Sequence, residues 1–159
     1  MAKVPKEKTL IGRRERIDLP EFNLTEFEAK VDTGAYTSAL HCSHIALTER
    51  NGRPWLTFHI PGPRNQGVDH LEFGSENFES ATIRSSTGHL EQRYVISTRV
   101  RVAGRVVRTR FSLADRTEMR YPILLGRRLL RGRFIVDVSG VELAPNPSPV
   151  AGKKKSKPQ

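Results

Sequence analysis

The residue whose setting most clearly allows chemistry is Asp32. Residues 27–31 alternate between apolar and charged side chains, which is typical of a half-buried strand that delivers Asp32 onto a turn with Thr33 and Gly34. An Asp before Thr-Gly also occurs as a simple turn former, because its short side chain accepts a backbone N–H two residues on and Gly permits positive φ. The tripeptide alone therefore allows a turn former or a reactive carboxylate.

A second candidate for chemistry is His41-Cys42-Ser43-His44, which has three potential metal ligands within four residues. Structural zinc requires four ligands, and a catalytic site requires three and an open position. The other histidines, His59, His70 and His89, are scattered singly, and the chain has no His-Glu-x-x-His helix motif. The pattern favours an ordinary polar strand end over a zinc site, and we assign no metal ligand.

Far downstream of the turn, Ile123-Leu124-Leu125-Gly126-Arg127 places bulky apolar residues before a glycine. Together with Asp32-Thr33-Gly34-Ala35, this stretch resembles the retropepsin-like aspartic peptidases, where Asp-Thr-Gly-Ala forms the active-site turn and an apolar-apolar-Gly-Arg stretch crosses behind it. Residues 11–15, 37–41 and 130–137 extend the resemblance to the bacterial RimB-like family. That family carries the label "ATP-dependent zinc protease", and its members accompany RimK-type glutamate ligases.

The resemblance implies a role for each matching residue. Asp32 is the catalytic carboxylate, and the rest of the active-site turn is Thr33, Gly34 and Ala35. The floor behind that turn is formed by Leu124, Leu125, Gly126 and Arg127. A hairpin tip occupies the place of the retropepsin flap by its order along the chain, and its residues are Ser85, Ser86, Thr87, Gly88 and His89. We assign no cofactor, since no Gly-rich phosphate loop supports the ATP of the family label.

Aspartic peptidases use two carboxylates that share one proton, one as base toward a water and the other as acid. The chain contains one Asp-Thr-Gly. The second Asp32 must therefore come from a second copy of the chain across a two-fold axis, and a homodimer is expected.

Short alternating strands recur along the whole chain, and we predict an all-β protein. A first strand is predicted over residues 9–19, and hairpins are predicted over 81–94 and over 95–113. Residues 127–131 predict one short helical turn ended by Gly132. The fold class that follows is a retropepsin-like acid-protease β-barrel with one short C-terminal helix.

Length and composition predict one domain at residues 9–143, which includes a surface insertion at 61–80. Disordered basic ends are predicted at 1–8 and 144–159. The single cysteine, the absence of a signal peptide and the lack of a membrane-length apolar run favour a cytoplasmic protein without membrane association. Of the net charge of +10, the two ends carry +2 and +4.

The expected substrate is an acidic or glutamylated peptide or protein tail, and the resemblance implies a glutamylated ribosomal protein as one such partner. Two alternatives stay open. Tyr36 and Thr37 stand where retroviral members have acidic residues, and the flap has one glycine, so the chain could be a non-catalytic peptide-binding scaffold. The Lys-rich ends and an alternating arginine face at 99–110 also allow weak nucleic-acid attraction and a basic RNA- or ribosome-associated module, although no aromatic residues interleave for base stacking.

Overall fold

The computed structural model describes residues 7–61, 70–84, 87–115 and 121–145. Within these residues the chain is built mainly of strands, with one 3-10 turn at Pro20–Phe22 and one short helix, α1. The all-β prediction and the short C-terminal helix are confirmed. The elements are β1 (Thr9–Ile11), β2 (Arg14–Leu19), β3 (Leu24–Val31), β4 (Ser38–His41), β5 (Ser43–Arg50), β6 (Arg53–Pro61), β7 (His70–Ser75), β8 (Phe78–Arg84), β9 (Leu90–Val102), β10 (Arg105–Ala114), β11 (Ile123–Leu125), α1 (Arg127–Leu130) and β12 (Phe134–Val136).

Six strands close into a barrel in the order β10, β4, β11, β3, β2, β9, and β9 pairs back to β10. Alternation supplies the inward face, as in β3, which buries Leu24, Phe27, Ala29 and Val31. The interval of three between Leu24 and Phe27 coincides with a bulge where Glu26 has a φ of 56°. The predicted β-barrel is therefore confirmed, and its core is a single apolar cluster.

The strand β11 lies between β3 and β4, although β3 and β4 are consecutive in the chain. It runs parallel to β3, with Leu125 opposite Val31, and antiparallel to β4, with Leu124 opposite Ala39. Parallel strands end at the same edge of a sheet, so the residue after β3 and the residue after β11 emerge side by side. The loop from β3 to β4, residues 32–37, must then pass over the end of β11.

The predicted first strand, residues 9–19, is wrong as one element, because the chain breaks it at Gly12 and Arg13. β1 pairs with β12 in a separate two-stranded parallel sheet, and β2 enters the barrel. A Cβ on Gly12 would lie 2.5 Å from the carbonyl oxygen of Gly140. The buried Glu15 carboxylate accepts the Gly12 N–H at 2.7 Å. Close packing against the C-terminal segment therefore causes the break.

The two predicted hairpins share one strand, since residues 90–102 form the single strand β9. Residues 95–102 of β9 pair with β10 inside the barrel, whereas residues 90–94 pair with β8. The strand β8 has β9 as its neighbour and lies outside the closed ring. The first hairpin is therefore an arm that extends from the barrel wall, and an edge-to-face contact between Phe78 and Tyr94 lies at its base.

A three-stranded antiparallel sheet, in the order β5, β6, β7, packs beside the barrel. Leu56, Phe58 and Ile60 of β6 are fully buried. Sequence analysis did not predict β5, whose residues are mostly exposed and lack apolar alternation. The predicted surface insertion, residues 61–80, contains β7 and the start of β8. No helix among the described residues has the length and apolarity needed to cross a membrane.

Candidate active site

Asp32 lies directly after β3, on a partly exposed turn. Its Oδ1 accepts the Gly34 N–H at 3.0 Å, and its carbonyl oxygen accepts the Ala35 N–H at 3.2 Å. The first bond is the local Asx arrangement expected from the sequence, and it fixes one oxygen of the carboxylate. Asp32 is thus a positioned surface carboxylate with a defined rotamer.

The end of β11 holds this turn from behind through backbone hydrogen bonds. Asp32 N–H donates to the Leu125 carbonyl at 2.8 Å, and Arg127 N–H donates to the Ala35 carbonyl at 2.8 Å. Arg128 N–H donates to the next carbonyl in the turn, that of Tyr36, at 2.9 Å. The structure therefore brings the predicted turn and its predicted floor together, and Leu125 is the fully buried member of that floor.

Gly126 is the closest point of approach between the floor and the turn. A Cβ there would lie 2.9 Å from the carbonyl oxygens of Ala35 and Tyr36 and from the carbonyl carbon of Thr37. Real carbon contacts begin near 3.5 Å, so no side chain fits without displacement of the turn. Gly126 has an extended backbone with φ of −98°. Glycine is therefore required at position 126 because a side chain would clash with the turn, whereas the backbone conformation there suits any residue.

Sequence analysis missed Ser38, which joins the two halves of the site. Its side chain is buried, and its Oγ accepts the Gly126 N–H at 2.9 Å. The Ser112 hydroxyl donates to the Ser38 carbonyl at 3.5 Å. A small polar residue at an inward position directly after the turn was the available signal, since a buried hydroxyl needs a partner.

Two arginines of α1 enclose an exposed aromatic residue of the turn. The guanidinium carbons of Arg127 and Arg128 lie 5.8 and 6.0 Å from the centre of the Tyr36 ring. The Nη1 of Arg127 also donates to the Thr33 carbonyl at 3.1 Å. Arg127 thus stabilises the turn through a carbonyl and a ring, in place of the acidic partner found in retroviral members.

The flap candidates are described in part, because Ser85 and Ser86 lie outside the described residues. Arg84 Nη1 donates to the Gly88 carbonyl at 3.1 Å, and the Thr87 hydroxyl lies 3.1 Å from Nδ1 of His89. Gly88 has a φ of +89°, which a tight tip requires. Residues 87–89 of the predicted tip thus lie directly before β9.

The His41-Cys42-Ser43-His44 segment passes from β4 into β5. Cys42 is fully buried, and burial raises the pKa of its thiol to about 12, which disfavours the thiolate that metals require. The His44 ring stacks on His59 with 4.5 Å between centres. No group of three or more His, Cys, Asp or Glu side chains is arranged to hold a metal ion within the described residues.

The arginine face predicted on β9 and β10, which consists of Arg99, Arg101, Arg108 and Arg110, is partly neutralised by carboxylates. Glu21 accepts hydrogen bonds from Thr98 at 2.8 Å, Arg99 at 3.0 Å and Arg108 at 2.8 Å. Partial burial acts to raise the pKa of Glu21, but these three donors lower it on balance. Arg101 and Arg110 pair with Asp18 and Glu79. Each of these four arginines therefore contacts a carboxylate, with Glu21 shared between Arg99 and Arg108, which weakens the case for a basic RNA-binding sheet.

Comparison with known proteins places this geometry in a family. Curated relatives named "Probable alpha-L-glutamate ligase" come from Shewanella halifaxensis (33% identical over 132 residues), Desulfotalea psychrophila (30% over 130) and Parasynechococcus marenigrum (32% over 133). The matches cover 83%, 82% and 84% of this chain, and 29%, 28% and 28% of the relatives. The chain thus spans under a third of the length of the curated relatives it matches.

A solved structure shares the fold over most of this chain. The crystal structure of a Legionella pneumophila protein of unknown function superposes with a TM-score of 0.70 at 27% identity, covering 87% of this chain and 99% of that one. The family model described as "Retropepsin-like aspartic endopeptidase RimB" matches residues 10–147, which include both the Asp32 turn and the strand that crosses behind it. The resemblance read from the sequence is confirmed, and the chain belongs to the RimB-like family of retropepsin-like aspartic endopeptidases.

Proposed function

We propose that the chain is an aspartic endopeptidase that acts as a homodimer on acidic or glutamylated peptide tails. The observation that carries the proposal is the Asp32 turn, whose carboxylate is fixed by Gly34 and whose backbone is held by the end of β11. A carboxylate held on a rigid turn, beside a glycine that lets a peptide backbone approach, suits attack of a water on a peptide carbonyl. The family membership supports this reaction class.

The mechanism requires two such turns. With two Asp32 carboxylates sharing one proton, the ionised group takes a proton from water as the water attacks the carbonyl carbon. The protonated group donates to the carbonyl oxygen, and the tetrahedral intermediate collapses as a proton moves to the leaving amine. The pair titrates as a unit, so both chains contribute to one pH profile.

Support for the dimer comes from the sheet of β1 and β12. Leu10 and Ile135 face each other across this sheet and are 46% and 55% exposed, and Val138 beyond β12 is 69% exposed. Three large apolar side chains at the edge of a two-stranded sheet are a surface for a second copy. We expect Ile135→Lys to shift the chain toward monomer in sedimentation. An unchanged dimer after Ile135→Lys would exclude this surface.

The substrate class rests on charge and on the relatives. The chain has a net charge of +10, and the curated relatives are named as glutamate ligases. A peptidase domain matched to a glutamate ligase is suited to trimming the glutamates that such an enzyme adds.

The test is cleavage of a peptide ending in several glutamates, with Asp32→Asn as the inactive variant. Asn keeps an oxygen for the Gly34 N–H but cannot exchange the proton, so we expect kcat/KM to fall by at least about 10²-fold. Glu49→Gln is the control, because it makes the same change of carboxylate to amide at an exposed residue of β5, in the sheet beside the barrel. Full activity in the Asp32→Asn variant would contradict the proposal.

Mixing the two forms tests whether each site takes one carboxylate from each chain. In an about tenfold excess of Asp32→Asn chains, most unmodified chains pair with an inactive partner, so activity per unmodified chain falls about tenfold. Activity that is unaffected by the excess would show that one chain suffices.

A second function has one observation in its favour. The relatives contain this region as less than a third of a longer protein named as a ligase. A peptide-binding scaffold that presents an acidic tail to a ligase fits that arrangement. Turnover of the glutamate peptide that is lost in Asp32→Asn would exclude it.

A further inference from the structure

A small cationic cavity lies beside the active turn. Its volume is about 160 Å³, which has room for roughly five waters or the end of one side chain. Four of its six lining residues are arginines. The lining consists of Ser97, Arg108, Thr109, Arg110, Arg128 and Arg133.

The carboxylates of the described chain neutralise part of this charge. Arg108 and Arg110 pair with Glu21 and Glu79, which lie outside the lining, and Glu21 is shared with Arg99. Neither of the other two lining arginines forms an ion pair with any described residue. Arg133 donates to the Leu129 carbonyl at 3.0 Å, which orients it but leaves its charge unneutralised. Among the residues that the structure describes, the cavity wall is thus positive and contains no acidic side chain.

Arg128 connects this cavity to the active turn. Its N–H donates to the Tyr36 carbonyl at 2.9 Å, and its guanidinium lies 6.0 Å from the Tyr36 ring centre. Residues 108–110 of the lining belong to β10, which pairs with β4, the strand that follows the turn. Arg128 therefore lines the cavity and also contacts the loop, residues 32–37, that carries Asp32.

We infer that this cavity is a subsite for a carboxylate side chain of the bound peptide, with Arg128 as its specificity-determining residue. The inference rests on the proposed function and names what gives it a preference for acidic substrates. Guanidinium groups bind a carboxylate through paired N–H donors. The cavity accepts one planar anion and offers no aromatic lining for base stacking, so a peptide carboxylate fits it better than an RNA chain.

The experiment measures binding and cleavage separately. Binding is measured by fluorescence anisotropy in the Asp32→Asn background, with a labelled tetraglutamate peptide and its tetraglutamine analogue as probes. The variants are Arg128→Gln, Arg128→Lys and the control Arg131→Gln, which removes an exposed charge from the same segment at a residue that does not line the cavity. Cleavage of the same two peptides is measured with chains that retain Asp32 and carry the same arginine substitutions.

We expect Arg128→Gln to weaken tetraglutamate binding about tenfold, the lower end for a charged hydrogen bond, because Arg128 is exposed to water. Tetraglutamine binding should not change, Arg128→Lys should restore part of the preference, and Arg131→Gln should have little effect. Equal loss for both peptides would show a structural role and overturn the inference. Displacement of the peptide by an oligouridylate in an Arg128-dependent way would overturn it in favour of nucleic acid.

The two proposals fail in different ways. Glutamate-selective binding that depends on Arg128, without any cleavage, would exclude the peptidase and keep the subsite. Cleavage of both peptides at equal kcat/KM, unaffected by Arg128→Gln, would keep the peptidase and exclude the subsite.

Discussion

Gly126→Ala tests whether the crossing of β11 behind the turn holds the site together. The added methyl would lie 2.9 Å from three backbone atoms of residues 35–37. Those atoms belong to a loop held by hydrogen bonds from Arg127 and Arg128, so the clash cannot be relieved by a rotamer change. The loop must move by about 0.6–1 Å to restore ordinary contact.

The cost follows from these contacts. Overpacking typically costs about 1–3 kcal/mol, and loss of one hydrogen bond from the displaced loop would cost about 1 kcal/mol more. We therefore expect Gly126→Ala to lower the free energy of unfolding by about 3 kcal/mol, a large part of the roughly 5–15 kcal/mol that stabilises a domain. At about 2–4 °C per kcal/mol, Tm should fall by about 6–12 °C.

Gly132→Ala is the matched control, because the cause of its cost differs. Gly132 has a φ of +78° with open space around its Cβ position, so alanine there costs about 1–2 kcal/mol through backbone strain alone. Urea unfolding is followed by fluorescence of Trp55, the one tryptophan of the chain, at one protein concentration because a dimer makes stability concentration-dependent.

Hydrogen exchange separates the two variants locally. Gly126→Ala should accelerate exchange of the Arg127 and Arg128 amides, whereas Gly132→Ala should accelerate it only as far as global stability falls. A Gly126→Ala chain within about 0.5 kcal/mol of the unmodified one, with unchanged exchange at these amides, would refute the steric argument.

Three further predictions concern buried or paired groups. Glu15→Gln should cost about 1–3 kcal/mol in urea unfolding, since the buried carboxylate accepts three backbone N–H groups that Gln cannot all satisfy, whereas the exposed Glu142→Gln should cost under about 0.5. The pKa of Glu21 is held below its ordinary 4.5, so the carboxylate stabilises the folded chain above pH 4.5 and loses this effect as pH falls. Glu21→Gln should therefore destabilise the fold at pH 7 and much less at pH 3, and an equal effect at both values would contradict this. Burial raises the pKa of the Cys42 thiol from 9.0 to about 12, so alkylation at pH 8 should require unfolding, and rapid alkylation of the native chain would show that the thiol is accessible. Because the thiol ionises at a lower pH in the unfolded chain, stability should be lost between pH 9 and 12, and Cys42→Ala should reduce that loss.

Local chemistry made several features readable from the sequence. The alternation in residues 27–31 predicted a strand, and Asp32 with Gly34 predicted the turn, because an Asx hydrogen bond spans two residues and needs no tertiary partner. Strand periodicity likewise places Leu56, Phe58 and Ile60 on one face of a strand, and the structure buries that face. Motif resemblance then indicated the family.

Only the tertiary structure showed which residues distant in the sequence contact each other. Ser38 and Gly126 are 88 positions apart, and only the placement of β11 between β3 and β4 makes the hydroxyl of one the partner of the other's N–H. Strand order is not encoded in local periodicity, because the same alternation suits any neighbour. For that reason the sequence analysis divided β9 between two predicted hairpins and missed the break at Gly12 between β1 and β2.

The charge of the arginine face was also decided in three dimensions. The sequence determined where arginines stand along β9 and β10, since alternation assigns them to the outer face. Their partners Asp18, Glu21 and Glu79 come from other segments, so the pairing depends on which strands lie side by side in the sheet. The tertiary structure also brings Arg128 and Arg133 of the C-terminal region to one cavity with residues of β10. Coulomb energy depends on distance through space, whereas a sequence records only order along the chain.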